Sequence, residues 1–355
     1  MKVINSETFN SKMVSTYGRT FYDTKNQALG LGFTLSGFKV TFVGTSLFGK
    51  FVSKHFDTSY DCPYIAIFVD EEFPNVDSLN KAKMVKLTNE MVLVSGLPYG
   101  KHTVIIRKLS EANGHELLVK ELITDGEFKE NAQSSKRYSI EFFGDSLTAG
   151  LGMLGSLKDP QAKTSEQNAL IGYPMLTCAS LNAECSIVAV SGFPMGISPY
   201  SGDSKVKTVP GLFSFATFAP ELGENELPKW NNKDHQPDLV IVNLGANDRN
   251  YRNKYPEQEQ FCKDLMEQKY HEFLDVIEKN YPNAKILMLS FHLYMRQGFD
   301  EVVKKVYEKR DHSHIYQLTI SPKGRPSFGT AWHPTKIMNK KYSDKLVEFI
   351  KENIL

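Results

Sequence analysis

Five apolar runs in the carboxy-terminal two thirds of the chain constrain its fold more than any other feature. They extend from Tyr138 to Phe143, Ser186 to Val190, Leu239 to Leu244, Lys285 to Leu289 and Ile315 to Leu318. Short runs of this kind, rich in β-branched and aromatic residues, read as strands buried on both faces. They alternate with helical patterns, which predicts a parallel sheet covered by helices on both sides. Met266, Tyr270, Phe273, Leu274 and Ile277 recur at helical spacing, as do Met338, Tyr342, Leu346, Phe349 and Ile350. These stripes face a core and carry no functional weight.

The first run ends in Gly144-Asp145-Ser146-Leu147. Ligands of open α/β sheets bind just beyond the carboxyl ends of the strands, so Ser146 stands at the functional edge and is a candidate nucleophile. The tripeptide alone is ordinary turn or cap chemistry. The other strand ends therefore provide the test. Ser191-Gly192-Phe193 follows the second run, Gly245-Ala246-Asn247-Asp248 the third, and Ala331-Trp332-His333-Pro334 lies beyond the fifth.

Serine attack on an ester creates an oxyanion that needs preorganised donors. The Gly192 backbone, the Asn247 amide and the Ser146 N–H are candidates. Taken singly, Gly192 also reads as a tight turn and Asn247 as an Asx-turn or helix cap. For the base, His102 and His115 fall in a β-rich region, His271 in a helix, and His312 and His314 ahead of the fifth strand, at the wrong edge. His292 and His333 remain. His333 opens the last helix, and the proline after it restricts its backbone. Asp311-His312-Ser313-His314 lies at the entry end of a strand without partner ligands, so no metal site is expected there.

Residues 1–134 read differently. Phe38, Val40 and Phe42 alternate with Lys39 and Thr41, Tyr64 to Val69 is another β-rich run, and Thr103 to Ile106 and Leu117 to Val119 flank Asn113-Gly114, a hairpin signal. Short strands punctuated by glycines predict a β-sandwich or jelly roll, a fold that can carry a sugar-binding surface. The polar stretch from Phe128 to Lys136 reads as a linker, with the second domain spanning residues 135–355. A chain of 355 residues favours two domains over one.

Lys plus Arg at 42 and Asp plus Glu at 41 leave a net charge of +1, so no global field favours nucleic acid or an anionic membrane. The amino terminus turns polar before an apolar leader can form, which predicts a cytoplasmic protein, or a secreted one if the native amino terminus was trimmed. Cys62, Cys178, Cys185 and Cys262 form no C-x-x-C pair and read as reduced, partly buried thiols.

Gly144-Asp145-Ser146-Leu147, the glycine after the second strand, Gly245-x-Asn247-Asp248 and His333-Pro334 resemble the four ordered blocks of the GDSL or SGNH hydrolase superfamily, over roughly residues 137 to 355. The resemblance implies a flavodoxin-like three-layer fold with Ser146 as nucleophile, His333 as general base, an oxyanion hole from Ser146, Gly192 and Asn247, and no cofactor. With an all-β domain in front, and with Gly96-Leu97-Pro98-Tyr99-Gly100-Lys101-His102 and Trp332-His333-Pro334, the chain is similar to carbohydrate esterase family 2. Those enzymes remove acetyl groups from plant polysaccharides such as xylan and glucomannan.

The superfamily usually places an Asp three residues before the catalytic His, and here that position is Thr330. A Ser-His dyad with a backbone carbonyl on Nδ1 is the expectation, a distant carboxylate the alternative. Trp332 reads equally as a platform for a sugar ring and as packing for the last helix. Trp230 and Asp248 are further candidates for substrate binding. The expected activity is acetyl ester hydrolysis on acetylated oligosaccharides or polysaccharides. The alternatives are a general lipase, thioesterase or arylesterase, and a glycan-binding homologue without activity.

Overall fold

The computed structural model describes residues 2–9, 11–53, 62–71, 76–79, 82–112, 117–132, 138–159, 161–200, 205–220, 222–321 and 324–355. The five apolar runs form one parallel sheet of β1 (Tyr138–Gly144), β2 (Ala183–Ala189), β3 (Leu239–Asn243), β4 (Lys285–Phe291) and β5 (Ile315–Ile320). Its order is β2-β1-β3-β4-β5, the flavodoxin-like arrangement, with β1 an interior strand between β2 and β3. The short α1 (Ser146–Ala149) follows β1, and α2 (Tyr173–Leu181), α3 (Ala246–Lys254), α4 (Glu259–Asn280), α5 (Phe299–Glu308) and α6 (Lys336–Asn353) complete the unit. Helices α2 and α6 pack together over one face of the sheet, where Tyr342, Leu346 and Ile350 are buried, while α4 and α5 cover the other through Met266, Tyr270, Phe273 and Val303.

Ahead of this unit, two six-stranded antiparallel sheets form a β-sandwich. Phe38, Val40 and Phe42 of strand Gly37–Gly44 point into its core beside Val104 and Ile106 of strand Gly100–Lys108. The sequence predicted a hairpin around Asn113-Gly114. Those two residues lie outside the described ones, and the flanking strands do not pair. Gly100–Lys108 pairs with Gly37–Gly44 and Tyr64–Val69, whereas Leu117–Thr124 belongs to the opposite sheet. The two flanking strands therefore belong to different sheets. A turn dipeptide does not record which sheet the chain enters next.

The strand Tyr64–Val69 of one sheet is buried on both faces, which explains its unbroken apolar run. Ile65 and Ile67 face the sandwich core, while Ala66, Phe68 and Ile105 join the core beneath α2 and β1. Burying a side chain such as Phe68 or Ile105 contributes about 2 kcal/mol. The interface also holds Arg19, which is fully buried. Its guanidinium donates to both carboxylate oxygens of Glu141 on β1, at 3.0 and 3.2 Å, and to the carbonyls of Phe213 and Phe215 at 2.7 and 2.8 Å. Ser186 and Tyr281 hydroxyls also donate to Glu141. Burial pushes the Glu141 carboxyl up, but the Arg19 guanidinium, with His235 and Tyr281, more than offsets this and holds it below the usual carboxylate range.

Candidate active site

Ser146 is delivered to the sheet edge by three local devices. At Gly144 a Cβ would stand 1.9 Å from Thr148 Oγ1, so only glycine lets the strand fold straight into α1. Asp145 caps that helix, its Oδ1 accepting the Leu147 N–H at 3.0 Å. Gly150, at φ +78°, ends the helix after one turn and returns its N–H to the Ser146 carbonyl. The Ser146 hydroxyl is left at the rim.

His333 meets it there. His333 Nε2 lies 2.8 Å from Ser146 Oγ, and Nδ1 lies 2.9 Å from the Thr330 carbonyl. A carbonyl only accepts, so the proton sits on Nδ1 and the Nε2 lone pair faces the serine hydroxyl. The ring is held in this pose by an unusual turn in which Ala331 and Trp332 both have left-handed backbones, at φ +51° and +65°. Non-glycine residues adopt that region at a cost, and the surroundings hold it. The Thr330 N–H donates to Gly152, its hydroxyl to Glu166, and Tyr294 donates to the Trp332 carbonyl. His333 itself is extended, as its proline neighbour demands, and α6 begins three residues later, at Lys336. Burial lowers the His333 pKa below the ordinary imidazole value, and the bond to Thr330 partly offsets this.

The structure brings Gly192 and Asn247 to the same cleft, which has a volume of about 440 Å³ and is also lined by Tyr200, Arg249, Tyr294 and Trp332. Gly192 has φ +81°, a conformation that glycine adopts without strain. Neither its N–H nor that of Ser146 donates to another backbone group among the described residues. The Asn247 amide nitrogen lies 3.2 Å from Asp145 Oδ2 and 3.1 Å from the Phe193 carbonyl, so both of its hydrogens have acceptors. Burial pushes the Asp145 carboxyl up to about 7.

Other expectations are corrected. Asp248 does not face the cleft: it is fully buried, and its carboxylate accepts the N–H groups of Met195, Gly196 and Ile197. Successive helical residues point about 100° apart, so the neighbour of Asn247 braces the loop after Gly192. Burial pushes its carboxyl up to about 6, against those three bonds. Trp230 lies away from the cleft, packed on the Arg19 guanidinium and the His235 ring at the domain interface. Trp332, by contrast, is 64% exposed at the cleft, touching the Phe328 ring by its edge. The rival base, His292, is bonded through Nδ1 to Asp300 at 2.6 Å and does not line the cleft. Asp311 accepts from Ser313, His312 stacks on Tyr307, and His314 is bonded to Glu278.

Sequence reasoning missed Tyr200, Arg249 and Tyr294, which reach the cleft from loops and from the polar α3, where no apolar period marks a buried face. It also missed Glu111. This residue of the sandwich is buried against Ser191, and burial pushes its carboxyl up.

A model of the GDSL-like lipase/acylhydrolase family matches residues 142–353. The chain is 24% identical over 275 residues to the cellulase/esterase CelE of Acetivibrio thermocellus, covering 75% of this chain but only 32% of that protein. It is 25% identical over 304 residues to an acetylxylan esterase/glucomannan deacetylase of Cellvibrio japonicus, covering 84% and 78% of the two chains. Its fold matches that of a family two carbohydrate esterase from Clostridium thermocellum, solved with cellohexaose, with a TM-score of 0.76 at 20% identity over 96% of this chain and 99% of the other.

Proposed function

We infer that this chain, which belongs to the GDSL-like lipase/acylhydrolase family, is a serine esterase. In this reading it removes O-acetyl groups from plant oligosaccharides or polysaccharides of the xylan, mannan or glucomannan kind. The observation that carries the reading is the His333 ring, held between the Ser146 hydroxyl and the Thr330 carbonyl with its acceptor nitrogen on the hydroxyl. Ser146 Oγ attacks the acetyl carbonyl as its proton passes to His333 Nε2, giving an imidazolium and a tetrahedral oxyanion. The Ser146 and Gly192 N–H groups receive the oxyanion. Asn247 joins them by giving up one of its two acceptors, because an anionic oxygen makes the stronger bond. Collapse breaks the bond to the sugar oxygen, which takes the proton back from Nε2. Water, deprotonated by the same nitrogen, then releases acetate from the acetyl-Ser146 ester.

Two features support a carbohydrate substrate. Trp332 and Tyr200, 64% and 72% exposed, stand at the cleft as flat surfaces on which sugar rings stack. The Cellvibrio japonicus relative is named for deacetylating such polymers. Acetate release from acetylated mannan and xylan fragments should therefore exceed hydrolysis of long-chain acyl esters in kcat/KM. A preference for long acyl chains would turn the reading toward a general lipase or thioesterase.

The pH profile provides a second check. His333 works as a base only when neutral, and burial lowers its pKa, so the neutral form persists below the ordinary imidazole range. As pH falls, kcat/KM should hold through about pH 6.5 and be lost below it. An acid limb at pH 7 or above would contradict a lowered His333 pKa.

A further inference from the structure

We propose that Glu111, contributed by the amino-terminal sandwich, is a positioning residue for the oxyanion donor at Gly192. The proposal rests on the esterase reading above. Glu111 lies 80 residues before the loop it serves and is 4% exposed. Its Oε2 accepts the Ser191 N–H at 2.6 Å and its Oε1 accepts the Ser191 hydroxyl at 2.7 Å. Both ends of Ser191 are therefore tied to one carboxylate. The next peptide carries the Gly192 N–H, and its direction follows from how Ser191 is held.

The same segment is anchored to the nucleophile. The Glu111 N–H donates to Gln167 Oε1 at 3.4 Å, and Gln167 Nε2 donates to the carbonyl of Ala149, the last residue of α1, at 3.0 Å. One short piece of the sandwich thus links the helix that bears Ser146 to the residue before Gly192. This fixes the spacing between the attacking oxygen and the donor that receives the oxyanion. Removing a preorganised donor outright costs about 10²–10³-fold in kcat, so misdirecting one costs less, and neither weakens ground-state binding. In this view the sandwich completes the active site and is more than a sugar-binding accessory.

The test uses the full-length protein and acetate release from an acetylated mannan oligosaccharide, with kcat and KM measured separately. Glu111→Leu fills the same space without accepting a hydrogen bond and should lower kcat about 10- to 100-fold, with KM within about twofold of the parent. Glu111→Gln should recover most of that loss, because its oxygen can accept from the Ser191 N–H while its amide donates to the Ser191 hydroxyl. Ser191→Ala removes only one of the two bonds and should give a smaller fall in kcat, so the proposal stays testable if Glu111→Leu does not fold. Parental kcat in Glu111→Leu or in Ser191→Ala, or a loss that Glu111→Gln does not recover, would overturn the proposal while leaving the esterase reading intact. Parental release that does not depend on Ser146 would overturn both.

Discussion

Ser146→Ala is expected to lower acetate release from acetylated oligosaccharides by at least about 10⁴-fold, a loss of about 5.5 kcal/mol of transition-state stabilisation. The expectation follows from the division of labour in the cleft. Among the described residues the Ser146 hydroxyl is the partner of His333 Nε2, able both to surrender a proton and to form the acyl bond, and alanine removes it. The oxyanion donors remain, so residual catalysis over water should persist. His333→Ala should cost about as much, and the double variant little more than either, because the two groups act as one unit. The fold should hardly notice, since among the described residues Ser146 Oγ makes one hydrogen bond, worth about 1 kcal/mol. Equal acetate release by parent and Ser146→Ala, with both proteins folded, would remove Ser146 from the mechanism.

Arg19→Met should be the most destabilising single change, at about 3–5 kcal/mol, because it strands the Glu141 carboxylate in the interior. Glu141 lies on an interior strand and is fully buried, as is Arg19, so no water can replace the lost cation. The Phe213 and Phe215 carbonyls lose their donor as well. Adding Glu141→Leu to Arg19→Met should restore much of the loss, since a well-packed apolar pair can match a buried ion pair. Urea unfolding monitored by fluorescence measures both variants. A loss below about 1 kcal/mol in Arg19→Met would show that the Arg19–Glu141 pair contributes little to holding the sandwich on the α/β unit.

The parallel sheet was legible in the sequence because strands buried on both faces leave unbroken apolar runs, and each of the five corresponds to a strand. The positions of Ser146, Gly192, Asn247 and His333 at one edge followed from the rule that groups just past parallel strands converge. What failed depended on direction rather than order. Asp248 sits beside Asn247 in the chain but turns to a different neighbour on the helix, and Trp230, in a loop with no periodic pattern, folds back to Arg19. Glu111 gave no signal at all, because its partner is 80 residues away and a lone glutamate after a β-strand looks like any surface acid.

The acceptor that orients the His333 ring is a peptide oxygen, that of Thr330. No exchange of side chain at position 330 can delete it, so alanine there would report only on the Thr330 hydroxyl's bond to Glu166. The information that aims the ring is stored in the path of the chain through Ala331 and Trp332, and insertions or deletions there, more than point replacements, are the lesions to which this anchor is vulnerable.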